Sequence, residues 1–589
     1  MVARILVTTG DERTWLKHKT KPLLFLGDWC IKLASKKEME NLDYQIVPYH
    51  WDDRKKLYID YKYLDNIYEN ILVTLSKKLN TLHDVNYELD YWRILLGPWL
   101  SYFIQILFDR WSMLNFAINE YEISGFSSIK KTNSEIPAND FLQAEKNYIN
   151  DEWNEMIYGQ LIQFIEDNKI NVENILVNDD KNQSTITKEN KSSFKSNFLV
   201  SLIKKITGWF PNDHEHFFIS TYLFLLTDLR LQLRLKQIPR IWEKLSIPNF
   251  DFNIEMRNWS LNLSENSNIF EKIVNNMIPL HIPRVYLEGY GELMKCIDDL
   301  PWPKHPKSIF TSNNHVSDDI FKAWAAKKKQ EGVPLFIGQH GGHFGMTPFS
   351  FHEKHEITIA DKWLSWGWSD AKRKQVKPVG NLIGMNHKLK HNPKGKALMV
   401  EMNLPRYSYQ LYAAPIAGQV LSYLDDQCAF IDALPEKLKK ELILRLFHND
   451  YDRGLHEYWS FNAPNVTIDS GVNPISSLIK NSRLYISTYN ATSYLESLAW
   501  NIPTIIFWNS DHWELNNETK PFFNKLKKVG IFHSSPESAA KQMISIWDNI
   551  PAWWSDQDLQ KTRQEFCRKY SHLPDNPINE LETIFKNGV

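Results

Sequence analysis

The sequence predicts an α/β protein in two halves, each a run of apolar strands alternating with helices around a parallel sheet. Three observations predict it. Strand and helix patterns alternate from Ile5 to Phe507. The segment Ser482 to Trp508 reads strand, polar turn, helix, strand in one compact unit. A second polar cluster, Gly338-Gln-His-Gly-Gly-His343, also follows an apolar strand. At 589 residues, 43% of them hydrophobic, the chain is too long for one core and divides into at least two domains.

In chain order, Ile5–Thr8, Leu23–Leu26 and Tyr44–Pro48 read as strands. Two long helices follow, Leu57–Leu79 and Tyr91–Ile118, the first marked by Leu64, Ile67, Ile71 and Leu72 at helical spacing. The apolar run Ile94–Phe108 is broken by Gly97-Pro98 and Gln105 and falls short of the roughly 20 residues that span a bilayer, so it reads as a buried helix. From about Asn171 to Asn197 the chain turns polar, as a surface loop or insertion. Phe217–Leu235 restores a helix, and Ser308–Ser312, Pro334–Gly338 and Ile357–Trp366 resume the strand rhythm. These elements assign residues 1–386 to a first domain, with 387–395 as linker. Strands at Lys396–Met402, Glu441–Phe447, Asn465–Ile468, Leu484–Ser487 and Thr504–Phe507 place the second domain at 396–550. Helices over 551–589 are expected to pack back on the first domain.

With 69 basic and 70 acidic side chains the formal charge is −1, which gives no basic stripe for a nucleic acid. The four cysteines lie far apart, so neither a zinc site nor a disulfide framework is expected, and a reducing cytoplasm fits them. The N-terminus runs straight into a strand without the layout of a signal peptide, which again implies a cytoplasmic protein. The 22 tryptophans serve a core first and sugar stacking second.

The chemistry-bearing residues cluster at strand ends. After Ser487, Thr488 and Asn490, a helix opens at Thr492-Ser493 with Glu496 soon after, leaving backbone N–H groups at the sheet's carboxyl edge, where open α/β sheets hold phosphates. In the Gly338–His343 turn, Gly341 and Gly342 permit close backbone approach, and an unperturbed imidazole at His340 would titrate near neutral pH. His340 and His343 have metal-ligand spacing, but they sit in a glycine turn with no cysteine nearby, so no zinc is expected. Downstream, His352, Glu353, His355 and Glu356 add imidazoles and carboxylates. Arg445 inside an apolar strand and His448 at its end could neutralise a phosphate, although a lone strand arginine is also a common structural ion pair. Asp450 and Asp452 have the Asp-x-Asp form that holds a divalent ion on a diphosphate, a triplet that chance also supplies. Near the N-terminus, Asp28, Trp29, His50, Trp51 and Asp52 suit recognition of acceptor hydroxyls, and Asp52 and Asp53 equally suit a helix cap.

Together, Leu24–Cys30, Trp51–Tyr58, Tyr91–Trp99, Gln339–Gly342 and Ser487–Glu496 resemble a family of transferases encoded in bacterial O-antigen and capsule gene clusters. The similarity runs from Ile5 to about Trp554. It implies a GT-B glycosyltransferase: two Rossmann-like domains facing a central cleft, the first enlarged by long helices, with no obligatory metal or other cofactor. More distantly the chain is similar to capsule enzymes that use CMP-activated keto-sugars, the pseudaminyl and Kdo transferases. Their Gln-His-Gly turn, His-Pro strand end and Ser/Thr turn match His340, Arg445 with His448, and Ser487 with Thr488; the departure is Asn449 in place of the proline.

The implied reaction moves a nonulosonic acid such as pseudaminic acid from its CMP derivative to a glycan or lipid-linked glycan. On this reading Gln339, Gly341, Gly342, Arg406, Arg445, His448, Ser487, Thr488, Asn490, Thr492, Ser493 and Glu496 hold the donor. Trp29, His50, Trp51 and Asp52 hold the acceptor, and His340, Asp28 and Glu356 are the catalytic candidates. Peripheral contact with the inner membrane and the capsule or O-antigen machinery would accompany a lipid-linked acceptor. The rival readings are a teichoic-acid-type polyol-phosphate transferase using CDP-glycerol or CDP-ribitol, a UDP- or GDP-hexose enzyme of the same fold, and a non-catalytic capsule-assembly scaffold.

Overall fold

The computed structural model describes residues 2–33, 39–165, 170–176, 213–262, 267–386 and 389–586. The class is α/β with parallel sheets, and the described residues form three of them. The first comprises β1 (Arg4–Val7), β2 (Leu23–Phe25), β3 (Tyr44–Ile46), β4 (Ile123–Lys130) and β5 (Val172–Leu176), in the order β3-β2-β1-β4-β5. The second comprises β6 (Phe217–Phe218), β7 (Ile309–Thr311), β8 (Leu335–Gly338), β9 (Lys362–Ser365) and β10 (Val376–Pro378), in the order β10-β9-β8-β7-β6. The third comprises β11 (Lys396–Val400), β12 (Leu442–Arg445), β13 (Thr467–Asp469), β14 (Ser482–Ser487), β15 (Thr504–Phe507) and β16 (Phe532–His533), in the order β13-β12-β11-β14-β15-β16. Residues 1–386, expected to hold one Rossmann-like sheet, thus hold two.

Two long helices join these layers. The first, Arg54–His83, starts where the Asp53 carboxylate accepts the Lys55 and Lys56 N–H groups at 2.9 and 3.1 Å, and ends at Asp84 in the left-handed conformation. Its buried stripe runs through Leu57, Leu64, Ile67, Ile71, Leu72, Leu75 and Leu79. The second, Leu89–Glu120, is buried without interruption from Tyr91 to Arg110, so it is a core helix, as its length and breaks suggested. Gly97 lets it pack closely. A Cβ there would meet the Tyr68 hydroxyl at 2.7 Å and His355 Cε1 at 3.0 Å. Among the described residues no helix is long and apolar enough to cross a membrane.

Two element assignments change. Phe217–Leu235 is not one helix: Phe217–Phe218 is an edge strand and the helix is Leu225–Arg234. Phe217 and Phe218 are buried on opposite faces of the sheet, so an aromatic pair that fits a helix also fits a short two-sided strand. Likewise Ile357 belongs to the helix Phe351–Ile359, which Ser350 caps, and the strand begins only at Lys362. The polar tract begins after β5, and its residues 177–197 lie outside the described set, as do 387 and 388 of the expected linker. After helices Ile550–Trp554 and Gln557–Tyr570, a last helix, Pro577–Lys586, returns to the second sheet and inserts Leu581 and Phe585 among Phe218, Phe310, Phe336 and Leu364.

Candidate active site

The exits of β8 and β14 meet. A Cβ on Gly342 would lie 2.3 Å from the Ala491 carbonyl carbon and 2.6 Å from the Thr492 nitrogen, so the glycine turn of the second sheet touches the polar turn of the third through bare backbone. Nearby, Asn516 secures the junction by donating its backbone N–H to the Met346 carbonyl and Nδ2 to the Gly345 carbonyl, at 2.8 and 3.0 Å.

Within each turn some of the expected ligand-binding groups serve the turn itself. The buried Gln339 donates Nε2 to the Gly341 carbonyl at 2.8 Å and accepts N–H groups from Trp366 and Trp368, which fixes the loop. Thr488 Oγ1 bonds to the Val400 carbonyl and the Tyr423 hydroxyl, and Ser487 Oγ donates to the Tyr489 carbonyl. What stays available lies at the start of the helix Thr492–Ala499, whose preceding residue Ala491 offers no side-chain cap, so its first N–H groups lack one. The buried Asn490 receives the Tyr494 hydroxyl on Oδ1 at 3.0 Å, while its Nδ2 has no partner. Ser493 accepts from Tyr485 at 2.7 Å and lies 3.0 Å from the Tyr489 hydroxyl. One turn on, burial pushes the Glu496 carboxyl up to about 8.

Facing this turn is a two-layer histidine cluster. His340, His343 and His352 are half-buried, with His315, His355 and Glu356 fully buried behind them. Glu356 is the centre. Its Oε1 lies 3.3 Å from His315 Nε2 and 3.4 Å from His340 Nδ1, both within ion-pair reach but not in hydrogen-bonding orientation, and its Oε2 accepts the Trp363 N–H at 3.1 Å. Burial pushes the carboxyl up to about 7 and the His340 and His315 imidazoles down to about 4 and 3. Burial thus favours uncharged imidazoles and a protonated carboxyl in this group. Of these three groups, His340, with its side chain 21% exposed, is the one that reaches towards solvent. His343 packs on Tyr412 at 4.9 Å, and His352 Nε2 lies 2.7 Å from Gln410 Oε1, which also accepts the Tyr102 hydroxyl at 2.9 Å.

The remaining candidates lie elsewhere. Arg406 is buried, donating to the Trp29 carbonyl at 2.7 Å, to Asp151 at 2.6 Å and to the Tyr451 carbonyl, so it joins the first sheet to the third. Arg445 pairs with Asp469 on the neighbouring strand at 3.1 Å and donates to the carbonyls of Gly471 and Asn473, whereas His448 is exposed at the strand end. Asp450 accepts the N–H groups of Gly454 and Leu455, both at 2.8 Å, which closes the Asp450–Asp452 turn on itself.

Of the N-terminal candidates, Trp29 and Trp51 are buried, with their indole N–H groups on the Thr8 carbonyl and Asp60. Neither presents a face for stacking a sugar. His50 is 3.0 Å from Asp109, and Asp52 accepts from Gln419 at 3.1 Å. Asp28 packs against the third-sheet side of the molecule, where a Cβ on Gly418 would meet it at 2.8 Å. Strand-end position alone does not separate a residue aimed at a cleft from one aimed at a neighbouring sheet.

His315, Tyr102 and Gln410 escaped the sequence reading. Asn313 and His315 directly follow β7, a strand end like those read, but no glycine marks the turn. Tyr102 sits mid-helix in an apolar run, and Gln410 lies in the irregular segment after β11, neither with a local signal.

A family model described as LIC12162 family transferase matches residues 4–585. No curated protein matches the sequence. Among solved structures, the wall teichoic acid polymerase TagF shares 11% identity over 51% of this chain and 84% of its own, with a TM-score of 0.27. MurG of Acinetobacter baumannii shares 11% over 64% and 100%, with a TM-score of 0.32. WaaG, a glycosyltransferase involved in lipopolysaccharide biosynthesis, shares 11% over 64% and 98%, with a TM-score of 0.27.

Proposed function

The chain belongs to the LIC12162 family of transferases, and from that premise we propose that it is a GT-B glycosyltransferase of bacterial surface-polysaccharide synthesis, transferring a nonulosonic acid such as pseudaminic acid from its CMP derivative to a glycan acceptor. The observation that carries this reading is the backbone contact of Gly342 with Ala491 and Thr492, which sets the histidine cluster of one sheet against the uncapped helix start of another. The donor phosphate lies at the helix start, on the first N–H groups, Asn490 Nδ2, Thr492 and Ser493. Glu496, largely protonated at neutral pH, hydrogen-bonds the ribose.

In the reaction the bond from the anomeric carbon to the phosphate oxygen breaks, and its electron pair leaves with CMP. Charge then grows on the phosphate, and the fixed N–H groups of the turn stabilise it without rearrangement. His340 contacts the donor carboxylate or anomeric centre, with Glu356 behind it as a reservoir for one proton. A monophosphate leaving group carries less charge than a diphosphate, so neutral donors suffice and no metal is required.

Thermal unfolding with CMP, CDP, UDP and GDP, each with and without Mg²⁺, tests this, because a ligand that binds only the folded chain raises the melting temperature. Stabilisation by CMP without Mg²⁺, diminished in Asn490→Asp, is the expected result. A shift confined to CDP moves the assignment to a polyol-phosphate donor, and one confined to UDP or GDP to a hexose donor. No shift with any nucleotide leaves a glycan-binding scaffold.

A further inference from the structure

Beside the junction that Asn516 secures lies a cavity of about 660 Å³, walled by Tyr61 of the helix Arg54–His83, the loops that follow β8 and β9, and the turn at 516–518 after β15. That volume falls within the roughly 300–1,000 Å³ of small-molecule sites. Its back wall continues the glycine turn. Gly345 is left-handed at φ 75°, and a Cβ there would meet the Trp368 ring at 2.4 Å, so glycine is what lets that indole lie against the loop. The buried Glu353 accepts the Gly345 N–H at 2.7 Å and Arg373 at 3.0 Å, while Asn516 holds the Gly345 carbonyl. Ser350, also on the wall, has its Oγ 3.3 Å from His343 Nε2, so one side chain separates the cavity from the histidine cluster.

The lining selects a class of ligand. Its acids are Glu353, Asp370 and Glu518 and its bases Lys354, Lys372 and Arg373, so the charges balance. Arg373 is taken up by Glu353 and by Asp370 at 2.6 Å, and Lys354 by Asp65. Lys372 and Glu518, one of each sign, remain at the exposed rim, which gives a phosphate no net attraction. What the cavity offers instead suits a neutral polar molecule. Tyr61 is half-buried, its ring packs on Phe349 at 5.1 Å, and its hydroxyl has no hydrogen-bond partner among the described residues. Asn517 accepts from Lys520 on Oδ1 at 3.2 Å, which leaves Nδ2 as a donor, and Ser369 adds an exposed hydroxyl. A ring edged by hydroxyl, amide and carboxylate suits a sugar, whose C–H face packs on the ring and whose hydroxyls both donate and accept.

We propose that this cavity is the acceptor subsite, binding a short neutral saccharide through Tyr61, Ser369, Asn517 and Glu518. This deepens the glycosyltransferase reading and rests on it. Trp29 and Trp51, which the sequence suggested for the role, are buried, whereas Tyr61 stands at the cavity wall. The position also couples the two substrates. One loop, 339–350, presses Gly342 against Ala491 at the donor end and forms the wall of this cavity at the other, so a sugar that fills the cavity bears on the backbone that sets the site.

The experiment is saturation-transfer NMR of the full chain with methyl glycosides of hexoses, deoxyhexoses and N-acetylhexosamines and with their common disaccharides, in wild type, Tyr61→Phe and Ser369→Trp. Melting temperature and nucleotide-induced shift are followed in each. Ser369 is exposed and its side chain makes no hydrogen bond among the described residues, so the tryptophan fills the cavity without breaking a contact. At least one saccharide is expected to bind wild type, to lose its signal in Ser369→Trp, and to bind Tyr61→Phe about three- to tenfold more weakly, the worth of one hydrogen bond. Both variants should keep their fold and nucleotide shift. The same saccharide should speed release of the stabilising nucleotide from its sugar derivative, with a KM that rises in step in Tyr61→Phe. No binding by any saccharide, or binding that Ser369→Trp leaves intact, overturns the subsite. Binding lost with no change in that KM overturns its acceptor role. The nucleotide shift and nucleotide release report the transferase reading separately: their absence in a wild-type chain that binds saccharide sinks that reading, and the acceptor role with it, but not the saccharide site.

Discussion

Replacing Gly342 by alanine places a Cβ 2.3 and 2.4 Å from the Ala491 carbonyl carbon and oxygen and 2.6 Å from the Thr492 nitrogen. Ordinary contact begins near 3.4 Å, so the β8 and β14 exits must part by about 1 Å, given that atoms in protein interiors sit at van der Waals spacing. All three neighbours are backbone, and no rotamer change relieves them. Overpacking of this kind costs about 1–3 kcal/mol, and a displacement of about 1 Å between reacting groups costs about 100-fold in rate. Gly341→Ala is the matched control. The nearest atoms to its Cβ are on the rings of Phe344 at 3.2 Å and His343 at 3.3 Å, which a small tilt accommodates. In parallel thermal unfolding and CMP-release assays, Gly342→Ala should melt a few degrees lower and lose most of its turnover, with Gly341→Ala close to wild type in stability. Indistinguishable behaviour of the two variants would refute the idea that this contact sets the site.

Glu356→Gln should change how stability depends on pH. The native carboxyl, raised to about 7, holds a proton that the unfolded chain releases near pH 4.5, so its contribution is complete below that value and lost as pH rises through 7. Glutamine can still accept from Trp363 and does not titrate, so its melting curve should gain on wild type from pH 5 to 8; parallel curves would contradict the assignment. Arg406→Met removes one partner of the buried pair with Asp151 and should cost about 3–5 kcal/mol, seen as a lower melting temperature, while the nucleotide-induced shift persists. Loss of that shift in an otherwise folded Arg406→Met variant would place the arginine on the donor after all.

Strand ends were legible because short apolar runs stopped at polar turns, and the helix starting at Arg54 was legible through its cap at Asp53. The division of the first 386 residues into two sheets was not, because it depends on which strand pairs with which. The β6 strand is two residues long and pairs with β7 some 90 positions later. The same limit applies to the site. Arg406 and Arg445 read as available cations because Asp151 and Asp469 are remote in sequence. Trp29 and Trp51 read as acceptor-binding residues because a tryptophan at a strand end looks the same whether it faces a cleft or a core.

The return of the helix Pro577–Lys586 has a consequence for synthesis. Phe585 lies 4.9, 5.3 and 5.1 Å from Phe218, Phe310 and Phe336, covering one face of the second sheet. Those residues leave the ribosome about 250 positions after Phe336, which at about 5–20 residues per second is roughly 12–50 s. For that interval one face of the second sheet, which Leu231, Leu235, Val379 and Leu382 cover in part, lacks Leu581 and Phe585 while the third sheet is still being translated. The second sheet therefore completes its packing only after the third is made, and the chain's yield in a cell should depend on chaperones that shield the unfinished face.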